Sequence, residues 1–105
     1  KLYSTALALA RLGPDHRFYT RARVATPPDP EGRIAGDLVL EGGGDATMGA
    51  REIPYNRQAK PGDPLRQIRE IADSIVARGV LRIDGDIVGD DTRYVREPYP
   101  AGWAN

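Results

Sequence analysis

Lys1 heads a segment, Leu2 to Leu12, that is apolar on almost every side. A lysine buried beside such a segment must have its charge paired or its pKa lowered, and a neutral lysine is a general base. From the residues alone, an exposed and solvated Lys1 is the stronger reading. His16 is the single histidine and follows Pro14-Asp15. One histidine in that position builds no Ser-His-Asp arrangement, so a surface role is expected. Gly42-Gly43-Gly44-Asp45 could cradle a phosphate on its backbone N–H groups. It lacks the Gly-Lys-Ser/Thr ending of a phosphate loop and no helix pattern follows it at once, so a tight turn is expected. Asp45 would then bond to its own downstream backbone. The acid-rich run Asp84 to Asp91 invites calcium, but the EF-hand spacing would put Val88 and Val95 where oxygen ligands are needed. Its acids are read as turn residues at the ends of a strand. Tyr94, Tyr99 and Trp103 could form a binding patch, or anchor a loop to a core, the commoner use of buried aromatics.

The elements that would position these residues follow from periodicity. Leu2 to Leu12 reads as a helix, stopped by Gly13 and Pro14. A helix apolar all round must be buried all round, and nothing obvious in the rest of this chain could surround it. Either the protein oligomerises around it or the chain is an internal piece of something larger. From Arg17 to Ala25 residues alternate, with Phe18, Thr20, Ala22 and Val24 on one side, as in a half-buried strand. Thr26 to Gly32 is a proline-rich turn. Arg33 to Glu41 reads as a second strand, close enough to pair with the first as an antiparallel hairpin. No period is sustained from Ala46 to Gly62. Asp63-Pro64 signals a helix start, followed by Leu65, Ile68, Ile71, Ala72, Ile75 and Val76 at helical spacing and Gly79 at the end. That helix should cover one face of a sheet, with Arg66, Arg69, Glu70, Asp73 and Arg78 outward. Val80 to Val88 is a further strand pattern, and Glu97 to Asn105 an irregular tail. Ile34-Ala35-Gly36-Asp37-Leu38-Val39 echoes Ile83-Asp84-Gly85-Asp86-Ile87-Val88, read as two similar strand entries into one sheet. The element order predicts an α+β fold with α/β-type layers.

Composition bounds the partners. Lys plus Arg and Asp plus Glu are 15 each, so no net field draws nucleic acid. With 12 Gly and 9 Pro the chain is folded but loop-rich. There is no Cys, hence no disulfide and no thiolate metal site. No apolar run reaches the ~18 residues of a membrane span, and no signal peptide is visible.

Several blocks in order resemble the class C low-molecular-mass penicillin-binding proteins, which are D-alanyl-D-alanine carboxypeptidase/endopeptidases. They are Lys1 to Leu9 with Leu12-Gly13-Pro14-Asp15-His16-Arg17-Phe18; Gly36 to Leu40 with Gly42 to Met48; Ile83 to Val88 with Asp90-Asp91-Thr92; and Pro100-Ala101-Gly102-Trp103. Ala46, Met48 and Ala101 depart mildly from the family pattern, and Gly49 to Gly62 looks longer than usual. The resemblance implies that Lys1 is the catalytic lysine of a Ser-x-x-Lys motif, with the nucleophilic serine three residues earlier on the same helix face. It implies that residues 1–16 carry the first active-site helix of a beta-lactamase/transpeptidase-like domain. Residues 17–105 would belong to an inserted sheet-plus-helix domain. The missing surroundings of the apolar helix would then be the rest of the penicillin-binding domain. It further implies peptidoglycan stem peptides and beta-lactams as partners, no cofactor and no metal, and a periplasmic or cell-wall location. Substrate-binding residues are not assigned.

The function so implied is that of a serine-type hydrolase acting through an acyl-enzyme. A non-catalytic binding or scaffolding module of the same fold in the cell wall is the alternative. In either case this stretch holds no nucleophile of its own. Residues 1–105 expressed alone should therefore show no peptidase activity and no covalent labelling by a fluorescent penicillin, read on a denaturing gel; a labelled band would overturn the assignment.

Overall fold

A computed structural model describes residues 1–51, 56–58, 60 and 62–97 of the chain. The fold is mixed α+β. Helix α1 spans Leu2–Leu12, followed by β1 (Arg21–Val24), β2 (Arg33–Ile34), β3 (Leu38–Glu41), α2 (Arg66–Ala77), β4 (Arg82–Ile83) and β5 (Ile87–Asp90). The strands form a three-stranded sheet, ordered β1-β3-β5, and a two-stranded sheet of β2 and β4.

β1 runs antiparallel to β3, with Arg21 opposite Glu41 and Val24 opposite Leu38. The hairpin partnership read from the sequence therefore forms, but with only part of each predicted strand. Within 21–24 the expected alternation holds: Ala22 and Val24 are half-buried, Arg21 and Arg23 exposed. The Arg23 guanidinium lies 2.7 Å from Glu41 across the strands, and Arg21 lies 3.9 Å from the same carboxylate.

The predicted strands 33–41 and 80–88 are each broken in two. The breaks fall at Ala35-Gly36-Asp37 and Asp84-Gly85-Asp86, the Gly-Asp centres of the two echoing hexapeptides. Those hexapeptides lie side by side in register. Ile34 pairs with Ile83 in the small sheet, and Leu38 with Ile87 and Val39 with Val88 in the larger one, all parallel. Backbone bonds tie the bends together: Asp84 N–H to the Ile34 carbonyl at 2.9 Å, Gly85 N–H to the Gly36 carbonyl at 3.2 Å, and Leu38 N–H to the Asp86 carbonyl at 2.9 Å. The Asp37 carboxylate accepts the Asp86 N–H at 2.8 Å. Two similar strand entries are present as expected, but they feed two sheets. The strands cannot run straight through because each bend lends its polar backbone to its twin.

Parallel neighbours need a long crossover, and the stretch carrying α2 supplies it. Asp63-Pro64 begins that helix as a turn, with the helix proper two residues later. The Asp63 carboxylate accepts the Leu65 N–H at 3.0 Å and an Arg69 guanidinium N–H at 2.6 Å. Gly79 ends it in the left-handed region, at φ 88°, and Gly13 ends α1 similarly at φ 83°. Ile34 and Leu38 are the buried hydrophobic residues among those described, so the core sits where the hexapeptides stack. No residue of α1 or α2 is buried.

The stack depends on Gly85. A Cβ there would sit 2.3 Å from the Asp37 carboxylate and 2.6 Å from the Gly36 backbone. At Gly89, on the same strand region, a Cβ would meet nothing within 4 Å. Gly85→Ala should lower unfolding stability by about 1–3 kcal/mol, the usual cost of forcing atoms into a filled space, while Gly89→Ala stays within about 0.5 kcal/mol. Urea unfolding of the two variants checks this.

Candidate functional site

Lys1 occupies the N-cap position of α1 and is exposed. Its carbonyl accepts the Thr5 N–H at 3.0 Å and the Thr5 hydroxyl at 2.9 Å. The helix behind it presents Leu2, Tyr3, Leu7, Leu9 and Leu12 to solvent. Lys1 therefore sits at one end of an apolar rod, with no other candidate residue brought against it by the described elements. His16 is exposed and stacks edge-on against Phe18, ring centroids 4.8 Å apart, in agreement with a surface role.

The glycine loop forms the expected tight turn. The Asp45 carboxylate accepts the Thr47 N–H at 2.9 Å and the Thr47 hydroxyl at 2.6 Å. The loop is also clamped from outside. A Cβ on Gly43 would fall 1.7 Å from the Tyr19 carbonyl oxygen, and one on Gly44 would fall 2.6 Å from the Tyr94 hydroxyl. Tyr94 donates from that hydroxyl to the Gly43 carbonyl at 3.2 Å. Tyr94 is thus a loop anchor. Tyr99 and Trp103, named with it, lie outside the described residues, as does the Pro100 to Trp103 block.

The acids of the Asp84 to Asp91 run are held individually. Asp84 bridges Arg33 and Arg82, its second oxygen 2.5 Å from the Arg82 Nε. Asp90 accepts the Thr92 hydroxyl at 2.6 Å and the Thr92 N–H at 2.9 Å. These are turn and strand-end roles, as read from the sequence. Hydrogen bonds set their acidity. The Thr47 hydroxyl, then the Thr47 N–H, lower the pKa of Asp45. Arg33, then Arg82, lower that of Asp84. The Thr92 hydroxyl, then its N–H, lower that of Asp90.

One concave feature among the described residues is not singled out by periodicity. A cleft of about 600 Å³ opens between β1 and α2. Ile71 and Ile75 line it from α2, Met48 and Thr20 from the opposite side. Glu70 and Arg78, expected outward, line it too. The apolar stripe of α2 is accordingly split. Ile71 and Ile75 are half-buried at the cleft, while Leu65, Ile68 and Val76 remain 52%, 45% and 58% exposed. The helix stands beside the sheet without closing on it. The apolar stripe of α2 alone does not reveal the groove, because only its Ile71 and Ile75 edge faces it while Leu65, Ile68 and Val76 stay exposed.

Set beside known proteins, the chain is matched over residues 1–105 by the profile of the D-Ala-D-Ala carboxypeptidase 3 (S13) family. A curated D-alanyl-D-alanine carboxypeptidase of Actinomadura sp. (strain R39) is 31% identical over 103 residues, covering 98% of this chain and 16% of that protein. The chain thus spans about a sixth of the length of that relative. No solved structure matches it.

Asp45, Asp84 and Asp90 have pKa values lower in the folded chain than the ~3.9 of a free aspartate. Their contribution to stability is complete above about pH 4 and is lost as pH falls through the lowered values, since the unfolded chain then binds more protons. The urea midpoint should hold from pH 7 to about pH 5 and drop below pH 4. Asp84→Asn should lower the plateau and flatten the acid limb, which a pH series of unfolding curves would read directly.

Proposed function

This chain belongs to the D-Ala-D-Ala carboxypeptidase 3 (S13) family, and from that premise we propose that it is part of a serine-type penicillin-binding carboxypeptidase/endopeptidase of the class C low-molecular-mass kind. In this reading Lys1 is the base of Ser-x-x-Lys, and a serine one helical turn before it is the nucleophile. The amine takes the serine proton as the hydroxyl oxygen attacks the peptide carbonyl between two D-alanines. The terminal D-alanine leaves and the resulting ester is hydrolysed by water. Stem peptides of peptidoglycan are the substrate, and beta-lactams acylate the same serine. The chemistry calls for no metal and no cofactor, and the location is extracytoplasmic. Residues 1–16 belong to the catalytic domain and 17–105 to a domain inserted after its first active-site helix.

The observation that carries the proposal is α1. Eleven helical residues headed by Lys1 form a rod exposed on all sides, with Leu2 81% and Leu7 60% exposed. At ~25 cal/mol per Å² of apolar surface, leaving such leucines in water forfeits several kcal/mol. Surrounding helices and a sheet would bury the rod and desolvate Lys1 at its end. That is the environment which lowers a lysine pKa into a range useful for proton abstraction. Among the described residues no helix is long and apolar enough to cross a membrane.

The test uses the full-length enzyme. Lys1→Arg keeps the positive charge but supplies no base, because a guanidinium stays protonated. Acylation by a penicillin should fall by roughly 10²–10⁴-fold, the worth of a general base, with the melting temperature nearly unchanged. A near wild-type acylation rate in Lys1→Arg would remove the catalytic role. Absence of acylation in the wild type would favour a non-catalytic module of the same fold.

A further inference from the structure

The cleft between β1 and α2 carries two opposite charges without an ion-pair partner among the described residues. Of the ionised groups lining it, Arg21 and Arg23 share the Glu41 carboxylate, and Asp45 is held by Thr47. The Glu70 carboxylate and the Arg78 guanidinium have neither an ion pair nor a side-chain hydrogen bond among the described residues. Both stand on the cleft side of α2 and lie eight residues apart in the sequence, which at 1.5 Å per residue is about 12 Å along the helix. That exceeds the ~8 Å screening length at physiological salt, so they do little to satisfy each other. Between them lie Ile71 and Ile75, half-buried and apolar. One turn before Glu70, Gln67 donates its amide N–H to the Thr47 carbonyl at 3.3 Å. Its carbonyl oxygen Oε1 is buried with no hydrogen-bond donor among the described residues. A buried acceptor without a donor is destabilising, and a ligand N–H would relieve it.

We propose that this cleft binds a short zwitterionic peptide laid along α2, its free amine at Glu70 and Gln67 and its free carboxylate at Arg78. The spacing selects the length. An extended chain advances about 3.3–3.6 Å per residue, so three or four residues span the distance from Glu70 to Arg78. The amine donates to the Glu70 carboxylate and to Gln67 Oε1. The carboxylate meets the planar donor fork of Arg78, a geometry suited to two parallel hydrogen bonds. Small apolar side chains in the middle rest on Ile71, Ile75 and Met48. The binding does not depend on the catalytic proposal, since it involves no acylation.

The test measures binding of L-tetraalanine to the full-length protein by titration calorimetry, beside the same peptide N-acetylated, C-amidated, or blocked at both ends. Free tetraalanine should bind best. Blocking either end should weaken it about tenfold, in keeping with the loss of one charge-assisted hydrogen-bonded contact. Glu70→Gln should abolish the preference for a free amine but keep that for a free carboxylate, and Arg78→Gln should do the reverse. Arg78→Lys should restore part of the carboxylate preference. Melting curves of each variant guard against misfolding, and the blocked peptides test the idea on the unaltered protein. Equal binding of free and doubly blocked peptide overturns the proposal. So does a preference that survives both substitutions, or no binding of tetraalanine at millimolar concentration, as expected if other parts of the protein fill the groove.

Discussion

The close approach of two Gly-Asp bends is the constraint on which the rest of the fold depends. At Gly85 the backbone comes so near Gly36 and Asp37 that a single added carbon would overlap them. That proximity allows the parallel bonds on either side of the bend, from the Asp84 N–H to the Ile34 carbonyl and from the Leu38 N–H to the Asp86 carbonyl. It also places Ile34 and Leu38 where both become buried. Each such side chain contributes about 1.5–3 kcal/mol on burial. No other pair of described elements assembles a comparable dry centre. The hexapeptides are joined by a long crossover, so the ordering of α2 and its flanking loops is tied to this one contact.

Several carboxylates around the stack are turned to partners of their own. Glu41 and Asp90 stand directly opposite each other in the parallel register, an arrangement that is destabilising when both charges are free. Here Glu41 is turned to Arg23 and Arg21 and Asp90 to Thr92. Asp84 plays a corresponding part in the other sheet, linking Arg33 of β2 to Arg82 of β4. These are partly exposed interactions of modest individual strength. Their effect is to hold short strands in register and to place charge on edges that would otherwise pair with other chains.

Two apolar surfaces remain open: the whole of α1 and the Leu65, Ile68 and Val76 side of α2. The first is the face that the proposed catalytic helix would bury, and the curated relative is about six times longer than this chain. On the second, the helix holds its polar and half-buried face toward β1 and its more apolar side outward. Glu70, Gln67 and Arg78 are thereby brought into a groove, where their unmatched polar groups acquire chemical meaning.

Local structure was legible in the residues because local rules govern it. The span of α1, its glycine stop, the Asp45 turn and the alternation through Ala22 and Val24 all follow from side-chain period and backbone freedom within a few residues. The Gly-Asp echo was visible as well, and so was the family through its ordered blocks. The pairing of the echoes in parallel register was not legible, nor was the breaking of both long strands at their glycines. Those depend on contacts between segments almost fifty residues apart, whose closeness no local pattern encodes. The cleft was hidden for the same reason. Helical periodicity marks where an apolar face points on an isolated helix, but only the packed structure decides which side of α2 meets the sheet. That decision places the exposed charges of Glu70 and Arg78 along one groove.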